Sequence, residues 1–137
     1  MTEKDNHGVF AAFAERAAKK LEEKKVHKKC RLHIPSMDED ITVRGLSTAE
    51  IAEVLDVDND NDPYASDKYS VYLAAVDPDL REVAKKLKEE GKIREYTEIC
   101  EIFDAYEIKA IASKIMELSG VIGSKKVEVV TEDLKNS

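Results

Sequence analysis

Lys29-Cys30-Arg31-Leu32-His33-Ile34-Pro35-Ser36-Met37-Asp38-Glu39-Asp40-Ile41-Thr42-Val43-Arg44-Gly45 is the stretch on which the fold turns. From 29 to 34, Cys30, Leu32 and Ile34 alternate with Lys29, Arg31 and His33. From 40 to 45, Ile41 and Val43 alternate with Thr42 and Arg44. A two-residue period puts every apolar side chain on one face of a strand. The segment 35–39 between the runs has the Pro, Ser and Asp of a turn. An antiparallel hairpin (about 29–45) follows, with one face on helices and the charged face in water.

Upstream, Phe10, Phe13, Ala14, Ala17 and Leu21 recur at three- and four-residue steps and predict a helix over 9–25 with one apolar stripe. Lys19, Lys20, Lys24 and Lys25 lie near its C-terminal end, where positive charge suits the helix dipole. Downstream, Ser47-Thr48-Ala49-Glu50 has the spacing of a capping box and opens a short helix. The run 56–62 cannot continue it. Asp62-Pro63 restarts a helix with Pro at its first position, and Tyr64, Tyr69, Tyr72, Leu73 and Val76 form its apolar side. Asp77-Pro78 repeats the device for a helix that carries Leu80, Val83, Ala84 and Leu87 and stops at Gly91. Further helices are expected over 94–103 and 105–118, the last ended by Gly120. The expected fold is mainly α (α+β): an N-terminal helix, one antiparallel hairpin and, after the short capping-box helix, a four-helix C-terminal part. Residues 1–123 are expected to form a single domain. Residues 124–137 read as a polar tail or a late strand around Val127, Val129 and Val130.

The chain has 137 residues, of which 42% are apolar and 37% charged. That length suffices for a core without disulfide or metal, and that apolar share is too large for a wholly disordered chain. The longest stretch without charge, 6–14, is too short to span a membrane, and the acidic Glu3 and Asp5 are not the start of a secretory signal. The expectation is a soluble intracellular protein whose Cys30 and Cys100 are reduced. The net charge of -7 is unevenly spread. Residues 1–37 carry nine Lys/Arg against five Asp/Glu, whereas 38–67 carry ten acids against Arg44 alone.

Three patterns invite a chemical reading. His27, Cys30 and His33 have metal-like spacing, but a fourth ligand is missing, and Cys30 and His33 point to opposite strand faces. The loop from Asp56 places acids at alternate positions like a calcium loop. It has Asn61 where the sharp turn needs Gly, and no Glu at position twelve. The basic segment 19–31 has seven Lys/Arg, without interleaved aromatics or a following helix-turn-helix. No GxSxG, Gly-rich phosphate loop or HExxH is present, and the three His all precede residue 34. The residues thus predict a binder and not an enzyme, with no cofactor and no small-molecule substrate, and they are compatible with a homo-oligomer.

Three further stretches carry a family resemblance. Ile41-Thr42-Val43-Arg44-Gly45-Leu46-Ser47, with Glu50 after it, resembles the strand, Arg, Ser/Thr and acidic helix start of tail assembly chaperones. These are small proteins of tailed phages and of phage-like elements in Gram-positive bacteria. Tyr72-Leu73-Ala74-Ala75-Val76-Asp77-Pro78-Asp79-Leu80 is similar to that family's "V-x-P-x-L" step. Glu107 to Ala112 and Ile115-Met116-Glu117-Leu118-Ser119-Gly120 resemble its closing helix. Phe10-Ala11-Ala12-Phe13-Ala14 resembles its Phe/Ala-rich start. The acidic loop 56–62 and Asp104-Ala105-Tyr106 depart from the pattern.

The resemblance covers 9–120. It implies a non-catalytic chaperone that binds the tape measure protein and assists assembly of the tail tube protein around it. Such a protein works in the cytoplasm of the bacterial host and is not expected in the mature virion. The surface expected to take the partner is the first helix (Phe10, Phe13, Ala17, Leu21) or the tail (Val127, Val129). The alternative from another class is a small phage-encoded nucleic-acid-binding regulator that uses 19–31.

Overall fold

The computed structural model describes residues 2–123 and 125–130, with side-chain surroundings from residue 7 onward. Helix α1 (Thr2–Lys24) leads to strands β1 (Lys29–Ile34) and β2 (Glu39–Arg44). Helices α2 (Thr48–Leu55) and α3 (Ala65–Ala74) follow, then strand β3 (Ala75–Asp77) and helix α4 (Leu80–Glu89). A 3₁₀ helix (Tyr96–Ile102) and helix α5 (Ala105–Leu118) complete the order. The sheet is antiparallel throughout, with strand order β1-β2-β3.

The hairpin forms where expected, and its register sets Leu32 opposite Ile41 and Cys30 opposite Val43. Ile34, Ile41 and Val43 are buried while Lys29, Arg31 and His33 are exposed. Asp38 takes a positive φ of 51° in the turn, a conformation that Asp tolerates better than most residues. The core joins these strand residues to Val54, Val71, Ala74, Leu80, Ala84, Ile99 and Cys100, and to Ile108, Ile111 and Ile115 of α5. It begins at the hairpin: no described residue of α1 is among its buried members or the partly buried hydrophobics packed against them.

Several boundaries differ from expectation. The helix expected to run through Val76 stops at Ala74, because 75–77 pair with β2 as a third strand, Thr42 opposite Asp77 and Val43 opposite Ala75. The cap of α4 is Asp79, whose side chain accepts from the Arg81 N–H at 3.0 Å; Asp77 is taken up by β3. Pro63 does not open α3. Asp62 accepts from the Tyr64 N–H at 2.9 Å, making a turn ahead of the first helical residue, Ala65. The segment 96–102 winds as 3₁₀ helix, not as α-helix. Helix α1 starts earlier than its apolar stripe, at Thr2. Residues 125–130 form no strand, and 124 and 131–137 of the tail lie outside the described residues.

Two helix ends follow the glycine stop. After α4, Gly91 (φ 72°) donates to the Lys88 carbonyl and Lys92 to Leu87; after α5, Gly120 (φ 79°) donates to Glu117 and Val121 to Met116. Both are paired reverse bonds of the kind that terminate helices at a left-handed residue.

Candidate partner-binding surface

Helix α1 is 23 residues long, about 34 Å of rod at 1.5 Å per residue. Its last turn tightens, with the N–H groups of Lys25 and Val26 reaching the carbonyls of Glu22 and Glu23. Along one side run Phe10, Phe13 and Leu21, which are 72%, 73% and 64% exposed; Ala17, between them, is half-buried. Val9, one turn before Phe13, widens the stripe and is exposed too. Its periodicity signals an amphipathic helix but does not say what covers the apolar side. The core does not. Contiguous apolar surface of this kind marks an interaction site more often than chance exposure does.

The other proposed partner residues, Val127 and Val129, are fully exposed on chain without regular structure. They are not brought to the α1 stripe by any described contact of the core. Val9 is the residue that sequence reasoning left out, although its spacing to Phe13 was legible.

The base of α1 meets the body at a cleft of about 540 Å³. Lys20, Lys24, Lys25, His27 and Lys28 line one wall, and Gly45 to Thr48 with Leu118 to Gly120 line the other. The second wall is held tightly. The Leu46 N–H donates to Ser119 Oγ at 2.8 Å, and that hydroxyl donates to the Ile115 carbonyl at 2.6 Å. Gly45 lies so close to α5 that a Cβ there would stand 2.8 Å from the Leu118 carbonyl oxygen. Next to it, Arg44 grips Glu50 with two bonds of 2.8 and 2.6 Å. Glu50 also accepts from the Ser47 N–H, while Ser47 Oγ accepts from the Glu50 N–H, completing the capping box. The Arg44 guanidinium, followed by the Ser47 backbone, holds the Glu50 carboxyl down to about 2 against the pull of burial. Arg44, Ser47 and Glu50 thus act as a structural clamp between β2 and α2.

Glu107 is a second clamp, one the sequence reading did not anticipate. Only 3% exposed, it accepts from the Ser36 N–H at 2.9 Å, the Ser36 hydroxyl at 2.6 Å and the Asp104 N–H at 2.9 Å. Burial pushes its carboxyl up, and these three donors together bring it below the ordinary value. The turn of the hairpin is thereby fastened to the start of α5.

The remaining charged patterns are placed as follows. His33 Nδ1 lies 2.7 Å from Asp40, which also accepts from Arg31 Nε at 3.1 Å. Cys30 sits half-buried on the other face of β1, and His27 lies in the link before it. In the acidic loop, Asp58 accepts from the Asp60 N–H, Asn59 from the Ser66 N–H, and Asp62 pairs with Lys68 at 2.8 Å. Lys68 also reaches Glu101 at 2.7 Å. The carboxylates of Asp58 and Asp62 thus turn to nearby backbone N–H groups and to Lys68. Among the described residues, no group of three or more His, Cys, Asp or Glu converges as metal ligands would. Cys100 is buried, and desolvation pushes its thiol up to about 12. None of the described helices is long and apolar enough to cross a membrane.

Compared with known proteins, the chain matches no family model, no curated protein and no solved structure.

Proposed function

We propose that this chain is a phage or prophage tail assembly chaperone, a non-catalytic protein that holds the tape measure protein in the host cytoplasm while tail tube protein assembles. The observation that carries the reading is the exposed stripe of Phe10, Phe13 and Leu21 on a helix that the core does not use. A long helical client has amphipathic segments of its own, and an apolar helical face binds such a segment through anchors spaced three and four residues apart. The resemblance over 9–120 supplies the client's identity. Three of its quoted motifs also lie together: β2 pairs with β3, and Gly45 and Leu46 abut Leu118 and Ser119. These contacts account for those three as joints of the fold.

The test is co-expression with the tape measure protein encoded beside this gene, reading the soluble fraction of the client. The intact chain raises it, and Phe13→Asp abolishes the gain without altering the melting of the core. An unchanged gain with folded Phe13→Asp removes α1 as the surface. A genome lacking tail tube and tape measure genes nearby overturns the chaperone reading itself. A salt-dependent mobility shift with DNA transfers it to the basic segment 19–31, since phosphate contacts weaken steeply with salt.

A further inference from the structure

We propose that α1 pairs with α1 of a second copy of this chain in antiparallel register, making the free protein a homodimer. The starting point is that α1 is helical while Phe10, Phe13 and Leu21 on its apolar side are exposed and stand outside the core cluster. Helices in proteins draw most of their stability from burying such a side. Phe10, Ala14, Ala17 and Leu21 follow each other at steps of four, three and four, the spacing of a two-helix seam.

Direction follows from size and charge. In a register centred between Glu15 and Arg16, Phe10 of one copy faces Leu21 of the other, and Ala14 faces Ala17. Each end then holds one aromatic and one aliphatic side chain, and the small central pair lets the backbones approach. Lys24 falls opposite His7, and Lys20 flanks Phe13 of the other copy, where its stem covers the ring. A parallel register would set Lys24 against Lys24 within the seam, while crowding Phe10 and Phe13 of both copies at one end. Like charges face to face select against that arrangement.

The area is adequate. With two rings nearly three-quarters exposed and Leu21 beside them, pairing removes on the order of 1,000 Å² from water over both copies, the lower bound for a specific interface. That size fits a dimer that a client helix can displace, so client and second copy compete for one stripe. The pairing itself does not depend on which client the helix takes.

The experiment uses the full chain in sedimentation velocity across roughly 1 to 100 μM, the range in which an interface of this size equilibrates. The intact chain is expected to pass from monomer to dimer, with helicity at 222 nm falling on dilution. Phe10→Asp and Phe13→Asp are each expected to weaken dimerisation at least tenfold while the core melts as before. Glu15→Ala, on the back of the helix, leaves it unchanged. Direction is read by spin labels at Lys24→Cys in a Cys30→Ser background, Cys100 being buried. Antiparallel pairing separates the labelled backbones by about 25 Å along the axis, parallel pairing by only the ~10 Å between helix axes. A monomer at 100 μM overturns the proposal, as does a dimer that survives both Phe substitutions or a short label distance.

Discussion

Replacing Gly45 by Ala adds one methyl group where the end of β2 crosses the end of α5. The new Cβ would stand 2.8 Å from the Leu118 carbonyl oxygen, 3.0 Å from its carbon and 3.3 Å from the Ser119 nitrogen. Non-bonded carbon contacts settle at about 3.5–4.0 Å, so the two segments must part by more than half an ångström. All three atoms are backbone and cannot rotate away. Overpacking of this kind costs about 1–3 kcal/mol. Parting the segments also stretches the 2.8 Å bond from Leu46 N–H to Ser119 Oγ, whose loss costs about 1 kcal/mol. Gly45 does not occupy the left-handed region, so Ala returns about 0.5–1 kcal/mol by narrowing the unfolded chain. The net destabilisation is about 1–3 kcal/mol, a fall in Tm of roughly 5–12 °C for a chain of this length. Thermal denaturation followed by near-UV circular dichroism measures it. Gly8→Ala is the control: nothing lies within 4 Å of its added Cβ, so it strengthens α1 and leaves the core transition in place. A Gly45→Ala chain melting within 2 °C of the parent, or above it, refutes the close-approach reasoning.

The Arg44–Glu50 clamp predicts an acid limb of stability. Because the folded carboxyl titrates near 2 and the unfolded one near 4.5, its contribution is complete above 4.5 and is lost as pH falls toward 2. The pair is 14% and 22% exposed, and with allowance for solvent screening the loss is about 2 kcal/mol; urea midpoints of Glu50→Gln and the parent should converge at low pH, and a constant gap refutes the clamp. His33 is held above its ordinary pKa, first by the hydrogen bond its ring donates to Asp40 and also by the charges of Asp40, Asp38 and Glu39, against desolvation. Stability from that pair is full below about 6.5 and declines as pH rises through the folded pKa. An NMR titration should show the His33 transition above 6.5 and its return toward that value in Asp40→Asn. In the core, Ile108→Ala removes a fully buried side chain and should cost about 2–5 kcal/mol, whereas Phe10→Asp should change the core melt by less than about 0.5 kcal/mol; equal effects in a denaturant series would contradict the separation of α1 from the core.

Much of this architecture was legible because local chemistry sets it. Alternation around Leu32 and Ile41 set the hairpin and its buried face, Ser47 and Glu50 set the start of α2, and Gly91 and Gly120 marked two helix ends. The misses are places where a distant partner decides. Ala75 to Asp77 continue the apolar pattern of α3, and only the free edge of β2 draws them into a strand. Pro63 and Pro78 look alike in sequence, yet neither is the first residue of its helix, because Asp62 makes a turn and Asp77 enters the sheet. Glu107 looks like any acid in a first helical turn until Ser36 is folded over it. The candidate surface is legible only as a stripe: Phe13 and Ile108 have the same helical periodicity, and one is exposed while the other is the centre of the core.

The clasp between Ser36 and Glu107 spans 71 residues, and the bond from Leu46 to Ser119 spans 73. During synthesis the hairpin therefore leaves the ribosome long before its fastenings exist, and the body closes only when α5 has emerged. Helix α1 needs none of those late residues. It emerges before the hairpin, so the pairing proposed for it does not wait for a core that is still open.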